Sequence, residues 1–414
     1  MNSTYTQQWK SIQNGLQHVS ETVSLVINSL LICLIIFKSP SKLGPYKYLM
    51  IYISVFEILY SIVDFLVTPI FYSFGPALIV IVNLKESLFN RFFSYVFLSV
   101  FLVHQWRFLG IHFIYRYLVA SGSVDITIKQ LSFCFSHQLL ATFSTWKITL
   151  WLSLPVLYGV IWGLGSYYAC GPTDYTSEFV KMDVLANYGL QMEEIAYFGL
   201  HFYRKNGKGE TFIVYEQVFG IIINIFLIDS SLFSAIYFGV KCYHKINDLA
   251  SQISTRNKSL QSQLFYALVI QTLIPIVLMH IPVTIIYSFA FMGYGMGTIC
   301  GIASITISMY PAFDPLPTIF IIKNYREAVL SELMGFHEIL TEINFRFHSF
   351  LYETEYSTNG YYFRRNGKPE PKCSECIKSH LDVNYLNDIS FSLHFFLFFF
   401  SYLLALASPI FSFS

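Results

Sequence analysis

Long apolar runs alternate with shorter polar segments along most of this chain. Runs long enough to cross a bilayer, which takes about 20 residues, lie at 19–37, 47–71, 89–115, 147–168, 213–240, 264–291 and 297–322. An eighth apolar run, 391–411, follows a mostly polar stretch. The pattern predicts an all-α membrane protein with a seven-transmembrane-helix bundle. It also predicts an extra C-terminal hydrophobic segment, to which the sequence assigns no role.

The order of these runs suggests four parts. They are an extracellular N-terminus at 1–16, a seven-helix domain at 17–330, a polar segment at 331–390 and a hydrophobic segment at 391–414. The first apolar run leads into Lys38 without a small-residue cleavage site, so it predicts a membrane helix and not a signal peptide. Pro275 and Pro315 are among the prolines of the last two runs, where they predict interrupted helices.

Composition supports the membrane assignment. The chain is 54% hydrophobic and 12% charged, against about 25% charged residues in an ordinary soluble domain. Its net charge is +1 and it has no dense basic block, which argues against nucleic acid as a partner. The lipid bilayer is the predicted environment.

Catalytic and cofactor-binding motifs are not found in the sequence. It has no phosphate-binding glycine loop, no HExxH and no GxSxG, so we expect neither an enzyme nor a bound cofactor. Cys373, Cys376 and His380 form at most half of a zinc site, so no metal is expected.

Basic residues in the short connecting segments predict the orientation. Ten lysine and arginine residues lie in the segments after the first, third and fifth runs, and two lie in the segment after the second run. Because basic residues accumulate on the cytosolic side, this count predicts that the N-terminus lies outside the cell. The sequon at Asn2 would then be available for glycosylation. Cys170 and Cys300 would lie near the outer face, where a disulfide between them is an option.

Ionisable residues inside the runs are the strongest local clue, because each is costly in hydrocarbon unless it is paired or hydrated. Glu57, Arg107 and Asp314 each lie nine or ten residues from the predicted cytosolic end of their helix, or about 15 Å deep. They could form one buried polar switch that joins helices two, three and seven. A static ion pair that only fixes packing is an equal alternative.

Aromatic and polar residues in the outer halves of the runs are candidates for a ligand pocket: Tyr95, Asn224, Tyr287 and Ser304. Small-molecule sites combine apolar walls with a few polar groups. Packing or contact with lipid is the alternative for any one of them, because aromatic residues are common throughout the chain.

Several segments resemble one known family. KLGPYKYLMIYISVFEILYS at Lys42 to Ser61, HFIYRYLVASGS at His112 to Ser123 and YPAFDPLPTIFIIKNYREAV at Tyr310 to Val329 are similar to blocks of the nematode Str chemoreceptors. This family is also called serpentine receptor class r and includes the diacetyl receptor. The resemblance covers about residues 16–330, in one order.

The resemblance implies a G-protein-coupled chemosensory receptor of the olfactory type in the plasma membrane of sensory cilia. Its expected partners are a small-molecule odorant, bound in the helical bundle, and a heterotrimeric G protein. Tyr115, Arg116 and Tyr117 resemble the Arg-Tyr element through which seven-helix receptors contact G proteins, with Tyr115 in place of the usual acid. Asp314-Pro315 resembles the Asn/Asp-Pro element of the seventh helix.

Two other functions remain as alternatives. A ligand-gated cation channel of the odorant-receptor type would place its N-terminus in the cytosol, opposite to the predicted orientation. A small-molecule transporter would usually show internal repeats with broken helices at matching positions, and the sequence shows no such self-similarity.

Overall fold

The computed structural model describes residues 3–88, 90, 110–121, 138–143, 146–248, 255–332 and 334. The first helices in chain order are α1 (Ser3–Lys38), α2 (Tyr46–Val67), α3 (110–121), α4 (138–143), α5 (Ile148–Cys170) and α6 (Asp174–Tyr188). The later helices are α7 (Tyr215–Asp248), α8 (Thr255–Pro275), α9 (Ile281–Phe291), α10 (Gly301–Phe313), α11 (Pro315–Ile321) and α12 (323–332).

Five helical stretches within the described residues are long and apolar enough to span a membrane. They are Gln7–Lys38, Tyr46–Val67, Ile148–Cys170, Leu260–Phe291 and Thr298–Ile321. Each corresponds to one of the seven predicted runs. Helix α7 covers the predicted run 213–240, and the described part of α3 covers the end of the run 89–115.

Helix α1 starts within the segment 1–16, which the sequence predicted as an extracellular N-terminus. It begins at Ser3, and Trp9 and Gln13 are already buried. The Trp9 Nε1 atom donates a hydrogen bond of 3.0 Å to the Thr298 carbonyl. Gly301 lets α10 approach α1 closely, because a Cβ atom at Gly301 would lie 2.2 Å from the Gln13 side chain. The polar start of the chain is therefore part of the bundle.

The prolines interrupt the last two spans, as predicted. After Pro275 the helix continues as a π-helix over Ile276–His280 before α9 begins. Asp314 separates α10 from α11, which starts at Pro315. A proline cannot donate the backbone hydrogen bond that a continuous helix needs, so both helices are irregular at these positions.

A small sheet closes the end of the bundle where α1 begins. Strands β1 (Ile70–Phe74), β2 (Ala77–Asn83) and β3 (Ile195–His201) form an antiparallel sheet in the order β1-β2-β3. Helix α6 packs on it through Val180 and Val184, which are fully buried. We call these three strands and α6 the cap. Strands β4 (Tyr203–Lys205) and β5 (Thr211–Ile213) form a separate hairpin.

The cap was not predicted. The predicted second span ran to residue 71, but α2 ends at Val67 and Thr68 adopts a left-handed conformation with φ 43°. The chain then turns into β1, so the apolar residues of β1 and β2 pack in a sheet and do not cross the membrane. The segment between α5 and α7 likewise forms α6 and three strands, where the sequence predicted a loop.

The connection between α9 and α10 docks on the cap. Gly297 forms an isolated antiparallel bridge with Ser73. A Cβ atom at Gly295 would lie 2.4 Å from the Gly75 backbone nitrogen, so only glycine fits there without movement. Lys85 and Glu194 join the ends of β2 and β3 by an ion pair of 2.6 Å. The cap therefore links the connections between three pairs of helices.

The chain divides into two compact units, Met1–Ile322 and Lys323–Ser414. The end of the seven-helix domain at residue 330 stays a prediction. The predicted hydrophobic segment 391–414 and most of 331–390 lie outside the described residues.

Candidate functional site

Arg116 is the centre of a buried group at the end of the bundle opposite the cap. We call Tyr46, His112, Tyr115, Arg116 and Gln261 the arginine cluster. They come from the start of α2, from α3 and from α8. His112 and Arg116 are one helical turn apart, so both point from the same face of α3.

The guanidinium group of Arg116 is held by an aromatic ring and an amide. Its Cζ atom lies 3.5 Å from the centre of the Tyr46 ring, and its Nη1 atom donates a hydrogen bond of 3.0 Å to Gln261 Oε1. Arg116 is 3% exposed. A cation over the face of an aromatic ring is attracted by the negative charge of that face, and more strongly when water is excluded. Helices α2, α3 and α8 are thus joined through one side chain.

Neighbouring aromatic residues fix the position of Tyr46. Its hydroxyl lies 2.9 Å from His112 Nδ1, and its ring stacks on Tyr115 with centroids 5.3 Å apart. Tyr115 also packs edge-on against Phe143 of α4. Tyr115 therefore does not form the ion pair with the arginine that an acidic residue at this position would form. It supports Tyr46, which contacts the guanidinium.

Tyr117 lies on another face of α3. Its ring packs against Phe238 of α7 at 5.7 Å, and Lys241 Nζ lies 5.8 Å from its centre. Of the three residues of the predicted coupling element, only Tyr115 and Arg116 belong to the arginine cluster.

The predicted polar switch is partly described. The carboxyl group of Glu57 neighbours that of Asp314, with Asn28 and Tyr310 beside it. Glu57 and Asp314 are 1% and 3% exposed. Gln271 Nε2 donates to the Asp314 carbonyl at 2.9 Å and to its Oδ2 atom at 3.1 Å. Glu57 of α2 and Asp314 at the end of α10 are therefore neighbours, and their role as a switch stays a prediction.

The carboxyl group of Glu57 has the side chains of Asn28 and Tyr310 as hydrogen-bonding neighbours. Two carboxyl groups side by side in a region of low dielectric need a proton or a cation between them. Arg107, the predicted counter-charge, lies outside the described residues.

A second acidic pair was missed in the sequence. Glu21 and Asp64 neighbour each other in the interior, and Ser308 Oγ donates a hydrogen bond to Asp64. His18 Nδ1 lies 3.1 Å from Glu21 Oε2. Gln17 Nε2 donates to Ser308 Oγ at 3.4 Å. The pair connects α1, α2 and α10 on the cap side of Glu57.

One sequence signal could have revealed this pair. Five polar residues of α1 are at most 1% exposed. They recur at spacings of four, four, three and four residues: Gln13, Gln17, Glu21, Ser24 and Asn28. Such spacing places side chains on one helix face. A polar stripe inside an apolar run indicates a face that packs against other helices and not against lipid.

The predicted pocket residues do not form one described group. Ser304 accepts a hydrogen bond of 2.9 Å from the Phe71 backbone, so it supports β1. Tyr287 is partly buried in α9. Tyr95 and the side chain of Asn224 lie outside the described residues, as does Asn2 with its sequon.

Cys170 and Cys300, for which the sequence left a disulfide as an option, are two free, buried thiols in the structure. Cys300 lies beside Ser73 of the cap, and Cys170 lies near Tyr287. The two thiols thus have different neighbours. Among the described residues, no group of three His, Cys, Asp or Glu side chains could hold a metal ion.

His201 is the main titratable group inside the cap. It is 1% exposed, with the rings of Tyr175 and Phe179 beside it and Thr176 Oγ1 3.5 Å from its Nδ1 atom. Burial, and secondly the charge of Arg204, lower the pKa of His201 from 6.5 to about 4. The cap therefore holds this histidine neutral at physiological pH.

Comparison with known proteins decides the family. The family model described as serpentine type 7TM GPCR chemoreceptor Str matches residues 13–330. The chain belongs to this Str family. It is therefore a multi-pass membrane receptor of the chemoreceptor class, and its fold class is the seven-transmembrane bundle that the sequence predicted.

Relatives of this Str receptor are known from nematodes. The G-protein coupled receptor str-217 of Caenorhabditis elegans is 33% identical over 330 residues, which are 77% of this chain and 88% of the relative. Serpentine receptor class r-10 of the same organism is 28% identical over 340 residues, or 79% of this chain and 92% of the relative. Among solved structures, the crystal structure of squid rhodopsin aligns with this chain with a TM-score of 0.47 and 12% sequence identity. The alignment covers 81% of this chain and 87% of the rhodopsin chain.

Proposed function

We propose that this Str receptor binds a small organic odorant within the helical bundle and activates a heterotrimeric G protein. The cap end faces the outside of the cell, and the arginine cluster faces the cytosol. This orientation is supported by the basic residues of the predicted loops, since lysine and arginine accumulate on the cytosolic side. The proposed location is the plasma membrane of sensory cilia.

One observation carries the proposal: Arg116 is sequestered between Tyr46, Gln261 and its own helix. A buried arginine that joins three helices cannot reach a cytosolic partner until those helices separate. Because Gln261 lies on α8, a displacement of α8 would break the hydrogen bond to Arg116 and expose the guanidinium. Movement of a single helix would thus create a G-protein contact.

The interrupted helices provide a path for that movement. Helix α8 passes through the π-helix at Ile276–His280 into α9, whose far end leads to the cap. A ligand that binds between α9, α10 and the cap shifts the equilibrium only by its difference in affinity for the two states. The ligand we propose is largely apolar or weakly polar, since the described residues there are mostly apolar or aromatic.

A second-messenger assay in cells tests this proposal. Cells expressing the chain are exposed to a panel of volatile and water-soluble compounds, and Arg116→Ala is compared with the parent at equal surface level. We expect a response to one or more compounds that is lost in Arg116→Ala. A ligand-evoked current that persists in Arg116→Ala and under G-protein blockade would contradict the proposal and favour a channel.

A further inference from the structure

Helix α7 carries a continuous stripe of exposed side chains. Its members alternate at spacings of four and three residues: Tyr215, Phe219, Ile222, Phe226, Asp229, Phe233, Ile236 and Val240. The apolar members are 53% to 76% exposed, and Asp229 is exposed as well. We call this set the α7 stripe. A 4-3 spacing is the pattern of a helix that packs lengthwise against another helix.

The opposite face of α7 is the one that packs on the bundle. Gln217, Ser231, Ala235 and Cys242 are at most 5% exposed. Ser231 and Ser234 lie within 4 Å of the position that a Cβ atom at Gly110 of α3 would occupy. The α7 stripe therefore points away from the described part of the receptor.

Asp229 lies near the middle of the apolar stretch of α7. It follows Tyr215 by 14 residues and precedes Lys241 by 12, which places it about 21 Å and 18 Å along the helix from these residues. A carboxyl group that faces hydrocarbon at this depth is costly, whereas a leucine would fit there freely. Acidic groups at such positions normally have a partner.

We propose that the α7 stripe is the contact surface for a second copy of this receptor. All copies in one membrane have the same orientation, so a two-fold axis along the membrane normal brings each layer of the stripe against the same layer of the second copy. Asp229 then meets Asp229 at equal depth. One carboxyl keeps its proton and donates a hydrogen bond to the other.

The arrangement of the stripe favours a second copy over an unrelated helix. Phe226 and Phe233 lie one layer before and one layer after Asp229, so two copies bury the carboxyl pair between aromatic layers. Polar groups at helix interfaces in membranes promote association of like helices. An unrelated helix would need both a matching 4-3 pattern and a polar group at the same depth.

Cysteine cross-linking tests the geometry of this contact. Cys33 is exposed, and Cys134, Cys373 and Cys376 lie outside the described residues, so the experiment starts from a receptor in its native membrane in which these four are changed to serine. Phe226→Cys lies on the stripe, whereas Ile225→Cys is a neighbouring exposed position on another face of the same helix. We expect a covalent dimer with a mild oxidant from Phe226→Cys and little from Ile225→Cys. Equal yields from both positions would overturn the proposal.

Energy transfer between two labelled copies, measured while the receptor is diluted in lipid vesicles, tests the role of Asp229. We expect Asp229→Leu to weaken self-association by about three- to thirtyfold, while Asp229→Asn, which keeps a hydrogen-bonding group, retains it. Leu157→Ala changes an exposed side chain of α5 and serves as the control.

A monomeric parent, or an Asp229→Leu receptor that associates like the parent, would contradict the proposal. A parent that remains monomeric but binds a designed transmembrane helix with a central lysine would assign Asp229 to a basic partner and also overturn it.

Discussion

The guanidinium of Arg116 lies 3.5 Å from the centre of the Tyr46 ring. The contact combines an interaction between a cation and an aromatic face with exclusion of water, since both residues are 3% exposed. Tyr46 belongs to α2 and Arg116 to α3, so the contact also fixes these helices to one another. In this state the arginine is unavailable to a partner protein.

We expect loss of this contact to raise basal signalling. A buried interaction between a cation and an aromatic ring contributes about 2 kcal/mol, so Tyr46→Leu should shift the equilibrium toward released Arg116 by about thirtyfold. Gln261→Leu should act in the same direction, because it removes the hydrogen bond from α8. Basal second-messenger output, corrected for surface level, is the readout.

Tyr46→Phe is the matched control for this prediction. It keeps the ring beneath Arg116 and removes only the hydroxyl that meets His112. We expect basal output close to that of the parent. If Tyr46→Leu and Gln261→Leu both signal like the parent at equal surface level, Arg116 is not held in the way described.

Charge reversal tests whether Arg107 completes the layer of Glu57 and Asp314. If Arg107 pairs with Glu57, Glu57→Gln or Arg107→Gln alone disrupts a buried charge pair at a cost of about 3 to 5 kcal/mol. Exchange of the two residues should recover part of the loss. Surface expression and thermal stability are measured for all three variants, and parent-like behaviour of every variant would eliminate the pair.

The cap should weaken in acid because of His201. Its pKa is about 4 in the folded cap and 6.5 when free, so stability is complete above about pH 6.5 and falls as the pH drops toward 4. The full loss would approach about 3 kcal/mol at the acid end. Hydrogen exchange of the strands at pH 7.5 and 4.5, expressed as protection factors relative to the intrinsic rate at each pH, measures this change.

His201→Phe removes the titrating group and keeps a ring beside Tyr175 and Phe179. We expect the difference between the two pH values to shrink in this variant. An acid-induced loss of protection that is unchanged by His201→Phe would assign the effect to other groups.

Gly295 should be required for docking of the connection between α9 and α10 on the cap. A Cβ atom there would meet the backbone of Phe74 and Gly75 at 2.4 to 3.1 Å, so Gly295→Ala should cost about 1 to 3 kcal/mol. Gly165 of α5 has open space around it and provides the control. The thermal stability of Gly295→Ala and Gly165→Ala is measured in the same detergent. Equal values for the two variants would show that the close approach at Gly295 is unimportant.

The helices were predictable because membrane spans have a strong, local signal in apolar length. The cap was not, because strands β1 and β2 are as apolar as a span and follow α2 almost directly. Their identity depends on the left-handed turn at Thr68 and on pairing with β3, more than 110 residues later. Such distant pairing has no local pattern in one sequence.

The site was predictable only in part for a related reason. Glu57, Asp314 and Arg116 are conspicuous as charged residues within or at the ends of apolar runs. Tyr46 and Gln261 are ordinary residues at helix ends, and only the packing of α2 and α8 against α3 brings them to Arg116. Residue type therefore indicated the charges but not their partners.

Nucleotide exchange on a purified G protein is the most direct test of the central claim. The receptor is reconstituted in lipid with an agonist from the compound panel, and exchange is compared between the parent and Arg116→Ala, with agonist binding measured on the same samples. We predict agonist-stimulated exchange by the parent, and full agonist binding without stimulated exchange by Arg116→Ala. Undiminished stimulation by Arg116→Ala would contradict the role assigned to the arginine cluster.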